Sequence, residues 1–392
     1  MIFINTLNIM KSNYISQKLF NVYLFLLIFN IINRAFYPLG FDLRIAIFSL
    51  GFVLLIIALI GKVSFKLNTN IVLVCCLYLI IIIGIFHHTV NNADENVYKN
   101  VVILNLYSFF NIIILNWFSF NLNPKLIKKY FNISWYFLFM SVLVSSTGLN
   151  LPFNNVGGSA SAINAIGNEN GIRFCGYGSD PNYVCVFALC YIIFNHSLDE
   201  SNKEKTIAYF SSIIAIILSR SRTAIVIAII LYLVSVIAEH SANNIKKIIF
   251  TIIFVLLAAM PLIMLNGKYF GNNISMKLRY DLWEQAFLAF TQHPILGNGL
   301  MSDRNITFYY INWFVQCHST YFQLLCDHGI FALILYFFIY YNDVMKNIDN
   351  PLKYCFLLYF AWSFTYETMY LTYTILFFGL LPYCSLKLKE EK

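Results

Sequence analysis

His318 stands in the run Cys-His-Ser-Thr-Tyr-Phe-Gln-Leu-Leu-Cys-Asp-His-Gly, just ahead of a continuously apolar stretch. A neutral imidazole at that position can take a proton from a hydroxyl near neutral pH. A lone histidine is more often a satisfied polar residue, so its position carries the chemical reading. Arginines supply the complementary chemistry. Arg220 and Arg222 sit in Ser-Arg-Ser-Arg-Thr-Ala at the mouth of an apolar run, where an unpaired cation is costly. Arg279 opens Arg-Tyr-Asp-Leu-Trp-Glu-Gln-Ala, and helical spacing puts it on one face with Trp283. Arg173 opens Arg-Phe-Cys-Gly-Tyr-Gly-Ser-Asp-Pro-Asn. A planar guanidinium grips phosphate oxygens in pairs and stays charged at physiological pH. Together these residues predict an anionic ligand, phosphate or pyrophosphate, beside a base. Trp283 either buttresses Arg279 or stacks on a sugar. The competing reading of its segment is a solvated helix face on which Asp281 and Glu284 pair along the helix.

The chain that must position these groups is not soluble. Of 392 residues, 59% are hydrophobic and 11% charged, where a soluble domain carries roughly a quarter charged residues. The 38 Phe and 27 Tyr suit lipid-facing surfaces and aromatic belts. The net charge of +8 comes from cations that punctuate apolar runs instead of forming a patch, which excludes nucleic acid as a partner. The nine cysteines contain no C-x-x-C pair, and most lie in apolar runs as small core hydrophobes. Cys175, Cys317 and Cys326 border the outer loops and leave room for one disulfide. Lys11 and Lys18 precede an apolar run with no cleavage motif after it, so the N-terminus reads as an uncleaved first span.

Apolar windows predict an all-α polytopic membrane protein of about twelve spans, at 19–35, 43–60, 70–87, 101–118, 131–147, 181–197, 206–219, 222–239, 248–265, 328–342, 354–367 and 371–386. The whole of 1–392 reads as one transmembrane domain, with an outer loop at 148–180 and a large helix-containing outer loop at 266–328. Placing the N-terminus in the cytoplasm puts most lysines inside, among them Lys62, Lys66, Lys125, Lys203, Lys246 and Lys346. The same assignment puts Arg34, Arg44, Arg173, Arg220, Arg222, Arg279 and Arg304 outside or at the outer edge. Snorkelling to headgroups is the favoured reading for Arg34 and Arg44. In the first outer loop, Ser179 and Asp180 read as helix N-caps. His293-Pro-Ile-Leu-Gly-Asn-Gly299 reads as a turn whose glycines let the loop fold back towards the membrane. His87-His88 with Asp94-Glu95 fits no metal spacing, and Glu367 reads equally as a partner for an arginine or sugar and as a rim carboxylate. Tyr309, Tyr310, Trp313 and Phe314 are candidate sugar-stacking rings.

Ser-Arg-Thr-Ala, Arg-x-x-x-Trp, His-Pro-Ile-Leu-Gly-Asn-Gly and His-Ser-Thr-Tyr-Phe-Gln-Leu-Leu-Cys-Asp-His-Gly-Ile-Phe, in this order, resemble the bacterial O-antigen polymerase and O-antigen ligase superfamily. The resemblance covers about residues 170 to 342. The ligase motif runs His, Asn/Ser/Gln, nine residues, Gly, two residues, Gly/Thr/Tyr. His318, Ser319 and Gly329 fit it, while Ala332 departs from the last place. Arg173, Gly176 and Pro181-Asn182 look more like the polymerase branch.

The resemblance implies a multi-pass bacterial inner-membrane glycosyltransferase that works on the periplasmic face without metal, cofactor or nucleotide sugar. Its donor would be an undecaprenyl-diphosphate-linked oligosaccharide, transferred with inversion. Arg222 and Arg279 match positions that hold the donor pyrophosphate, and His318 matches the residue that activates the acceptor hydroxyl. Arg173 and, less centrally, Arg220 and Trp283 complete the expected binding set. A polymerase would pass the growing chain onto the non-reducing sugar of a lipid-linked repeat unit, leaving room for a chain-length regulator as a partner. The alternatives are a ligase that moves the glycan to lipid A core and a flippase for lipid-linked oligosaccharide. A flippase would keep its charges within spans around a passage, and this chain has the reverse distribution.

Overall fold

The computed structural model describes residues 2–36, 38, 42–61, 63, 65, 67–86, 95–149, 151, 165–168, 171–178, 180–197, 201–264, 274–304, 306, 316–366 and 368–384. Ser179, Glu367, His87, His88, Asp94 and the aromatic run Tyr309, Tyr310, Trp313 and Phe314 lie outside them.

The described chain is a succession of helices. They are α1 Ile2–Ile32, α2 Leu43–Ile60, α3 Thr69–Phe86, α4 Glu95–Trp117, α5 Pro124–Ser146, α6 Pro181–Ser197, α7 Asn202–Ser219, α8 Arg222–Glu239, α9 Asn243–Met264, α10 Ile274–Gln292, α11 Thr320–Lys346 and α12 Lys353–Trp362, followed by a π-helical segment Ile375–Leu380. Among the described residues, five stretches are long and apolar enough to cross a membrane: Leu43–Ile60, Thr69–Phe86, Val97–Trp117, Arg222–Glu239 and Thr320–Lys346. Ser16–Ile32 and Ile375–Cys384 are apolar but shorter. The protein is therefore an all-α membrane protein; the five long spans among the described residues do not confirm the expected count of about twelve. The physical reasons are local. α6 has 17 residues and α12 only ten, and α7 spends its first turn on Lys203, Glu204 and Lys205.

Local chemistry sets the helix starts. Asn123 caps α5 by accepting the Lys125 N–H at 2.9 Å, with Pro124 in the first turn. Asp180 caps α6 as expected, accepting the Asn182 N–H at 2.7 Å. Exposed Ile225, Val226, Ile229, Ile230 and Leu233 on α8 give it an apolar face suited to hydrocarbon. Lys128 at the start of α5 reaches Glu204 at the start of α7 at 3.1 Å, so these two lysine-bearing ends lie on the same side. α6 packs on α7, α1 on α2 and α5, and α11 on α3 and α10. All nine cysteines are unbridged, so no disulfide joins Cys175, Cys317 and Cys326.

Two features depart from the sequence expectation. The Gly-rich loop after α5 contains an antiparallel hairpin, Ala165–Asn168 against Gly171–Phe174, with Ile166 opposite Arg173. The helix expected from 328 begins at Thr320 and is broken at Gly329 (φ 76°, ψ −172°). The turn at 293–300 fills that break. Asn298 and Gly299 donate to the Cys326 and Asp327 carbonyls at 2.8 and 2.9 Å, and the Ile330 N–H reaches the Pro294 carbonyl at 2.9 Å. The interrupted ladder is thereby repaid by backbone, which a break at membrane depth requires.

Candidate functional site

The His318 turn is held on both sides. Before it, the Cys317 carbonyl accepts the Trp283 indole N–H at 2.8 Å, and the Cys317 N–H donates to Asp303 Oδ2 at 3.3 Å. After it, the Thr320 N–H is shared by the Ser363 and Tyr366 carbonyls at 2.8 and 3.0 Å. The Thr320 hydroxyl adds a bond to the Tyr366 carbonyl at 2.8 Å. His318 itself takes φ 55°, a left-handed conformation that costs a non-glycine residue about 1–3 kcal/mol and persists only when its surroundings over-determine it.

Two guanidinium groups act on the half-buried His318 ring. Burial first, then Arg279, then Arg304, pushes its pKa down to about 4, so the imidazole is neutral at physiological pH. Arg279 comes from the face of α10 that packs on α11. Its Nη1 donates to the Thr365 carbonyl at 3.3 Å, and its Cζ lies 5.6 Å from the Tyr366 ring centre. Arg304 comes from the turn after α10, next to Asp303.

Arg173 approaches from another direction. Charges at Asp180, Arg279 and Arg173 all act on the Tyr366 phenol, and the Tyr183 ring packs edge-on to Tyr366 at 6.1 Å. Burial pushes the Asp180 carboxyl up, opposed by the Asn182 N–H and by Arg173. The Arg173 guanidinium also ties the hairpin to the α7–α8 turn, donating to the Ser219 carbonyl at 3.0 Å and to Asn182 Oδ1 at 2.7 Å. The same Asn182 oxygen accepts the Ser221 hydroxyl at 2.8 Å, and the Ser219 hydroxyl donates to the Phe174 carbonyl at 3.1 Å. The serines of Ser-Arg-Ser-Arg are therefore structural. They present Arg220, in a left-handed C-cap (φ 47°), and Arg222, in the first turn of α8, with both side chains exposed.

His318, Arg279, Arg304, Tyr366 and Arg173 thus form one neighbourhood, and Arg222 and Arg220 stand on the turn that Arg173 braces. Chemically this is a neutral base beside fixed cations, an arrangement suited to proton removal near an anionic leaving group. Trp283 has a different place from a sugar platform. It is 1% exposed, with Phe322 stacked on it at 5.5 Å and Phe364 tilted against it at 5.4 Å, so no sugar ring can lie on it. What its indole braces is the Cys317 carbonyl.

Sequence reading assigned no role to Asp303, Asp327 or Tyr370. All three are buried. Asp327 Oδ1 accepts the Asp303 N–H at 2.9 Å, and Oδ2 accepts the Met301 N–H at 2.9 Å and the Tyr370 hydroxyl at 2.6 Å. His328 Nε2 lies 2.8 Å from the same hydroxyl. The one available signal was Asp-His-Gly lying at the end of an otherwise apolar run, downstream of a turn rich in glycine.

Residues 207–337 match the family described as O-antigen ligase, a segment that takes in Arg220, Arg222, Arg279, Trp283 and His318. No curated protein matches the chain. The family match gives no support to the flippase reading. The match makes this third of the chain similar to the O-antigen ligase family and supports the resemblance to the ligase and polymerase superfamily.

Proposed function

We propose that this protein is an O-antigen or related surface-polysaccharide polymerase of the bacterial inner membrane. It would transfer a glycan chain from undecaprenyl diphosphate onto the non-reducing sugar of a lipid-linked repeat unit, with inversion, at the periplasmic face. The observation that carries the reading is the His318 turn, fixed by Trp283 and Thr320, with the Arg279 and Arg304 cations acting on its half-buried, neutral imidazole. In the proposed step His318 takes the acceptor hydroxyl proton, the acceptor oxygen forms the new glycosidic bond, and the bond from the anomeric carbon to the diphosphate breaks. Arg279, Arg222 and Arg173 offset the charge on the departing diphosphate. Each proton and electron pair then has a destination without a metal or cofactor. Outer placement of the loops at 148–180 and 266–328 belongs to this same reading. A chain-length regulator draws no support from the family match or the geometry.

Ligation to lipid A core is the second reading, favoured by the His318-Ser319 and Gly329 positions of the ligase pattern and weakened by Ala332. Lipopolysaccharide from cells lacking the protein separates the two. Core carrying one repeat unit marks a lost polymerase. Bare core with long glycan accumulating on undecaprenyl diphosphate marks a lost ligase and overturns the polymerase reading.

A further inference from the structure

Asp303 and Asp327 are both 0% exposed, although burying a carboxylate is costly unless its oxygens are satisfied. Asp327 is satisfied by two backbone N–H groups and the Tyr370 hydroxyl, so it stitches the 301–303 turn to α11. Asp303 stands on that stitched turn and spends Oδ2 on the Cys317 N–H, while its Oδ1 is buried without a partner. Among the described residues, that carboxylate accepts the N–H of Cys317, the residue before His318, which takes the left-handed conformation. The charged and titratable groups around that turn are Arg279 from α10, Arg304 and Asp303 from the following turn, and Tyr366 from the segment after α12.

We infer that Asp303 is a positioning residue for His318. It clamps Cys317 so that the imidazole stays between Arg279 and Arg304, and Asp327 with Tyr370 holds Asp303 in place to do so. The inference rests on the reading of His318 as the base, but the two fail separately. Full transfer by His318→Ala would remove the base, whereas the clamp is tested by titrating a ring with no glycan present.

The test is carbethoxylation of His318 in the detergent-solubilised full chain, followed by mass spectrometry across about pH 5 to 8. The reagent attacks the neutral ring, so the wild-type profile should be flat, because that ring loses its proton at about 4. In Asp303→Ala the released turn lets His318 leave its two cations. Its reactivity should then fall about tenfold or more at the acid end, as for an ordinary histidine near 6.5. Asp303→Asn keeps an acceptor oxygen and should stay flat. Transfer by Asp303→Ala should drop about 100-fold in kcat, the scale of a small misplacement of a reacting group, with rescue by Asp303→Asn. A flat profile in Asp303→Ala overturns the proposal, as does an Asp303→Asn profile that bends like Asp303→Ala. Should Asp303→Ala fail to reach the membrane, Tyr370→Phe leaves Asp303 in place and removes the hydroxyl's bonds to Asp327 and His328. Its profile should bend in the same direction, and a flat one overturns the clamp.

Discussion

The Trp283 indole N–H donates to the Cys317 carbonyl at 2.8 Å, one peptide ahead of His318. This bond links α10, which carries Arg279, to the turn that carries the candidate base, so arginine and histidine are set by one buried ring. Trp283→Phe keeps most of the packing and loses only the donor. It should cost about 1 kcal/mol in stability and lower transfer severalfold with little change in donor affinity. Trp283→Ala leaves a cavity under Phe322 and Phe364 and should cost about 3–5 kcal/mol. Thermal unfolding in detergent checks the first quantity, and binding of undecaprenyl diphosphate checks the second. Lost donor binding with an unchanged melting temperature would restore Trp283 as a ligand contact.

The pH dependence follows from the depressed pKa of His318, about 4 under the influence of burial, Arg279 and Arg304. The base is competent when neutral, so activity should persist as pH falls through the ordinary histidine range near 6.5. It should then be lost as pH falls through about 4 in the free protein. Donor binding brings negative charge to the two guanidinium groups and partly cancels their effect, so the acid limb of kcat should lie at higher pH than that of kcat/KM. Stability has the matching sign. The unfolded histidine binds its proton below about 6.5 and the folded one resists until about 4, so stability falls as pH drops across that window. Coincident acid limbs near 6.5 would mean that His318 is not the titrating base.

Arg279 contacts the Thr365 carbonyl and the Tyr366 ring through only part of its guanidinium, leaving donors for a ligand. Arg279→Ala should reduce transfer about 100- to 1,000-fold, the scale of losing one charge-stabilising donor, with membrane insertion intact. Arg279→Lys restores charge but not the fork and should rescue only partly. Arg222→Ala should behave similarly if that cation meets the diphosphate from the first turn of α8. Arg173 should differ: its bonds to the Ser219 carbonyl and Asn182 are structural, so Arg173→Ala should lower the melting temperature as well as activity. Wild-type glycan in an Arg279→Ala strain would sink the pyrophosphate role.

The parts of this site that were legible in the sequence are those made by local spacing. Arg279 and Trp283 share a helix face because they are four residues apart, and His318 stands at a helix start because polar sequence gives way to apolar. Asp303 and Tyr370 were illegible because their partners are remote, at Cys317 and Asp327. Hydropathy starts the tenth span at 328, just past the polar Asp327. The structure starts that helix at Thr320, since Asp327 is satisfied by the 301–303 turn and Tyr370, and His328 Nε2 is bonded to Tyr370. The hairpin was missed for a related reason: its glycines read as flexibility when they serve a tight antiparallel pairing.

The break at Gly329 gives the sharpest test of how the turn and α11 fit together. A Cβ on Gly329 would lie 2.3 Å from the Ile295 carbonyl oxygen, and one on Gly297 would lie 2.4 Å from the backbone of Asp327 and His328. Both glycines also have left-handed φ, 76° and 70°. The obstacles are backbone, which cannot swing aside as a flexible side chain can, so either alanine must part the turn from the helix. That separation would also loosen the 301–303 turn and, through Asp303, the His318 peptide. Gly297→Ala and Gly329→Ala should each destabilise by more than the roughly 1–2 kcal/mol that a left-handed backbone alone costs an L residue and should abolish transfer. Gly148→Ala is the control: its φ of 83° is also left-handed, but nothing lies within 4 Å of the added methyl, so it should cost only the backbone strain. Comparable melting temperatures for all three variants would mean that the turn does not lean on the helix break.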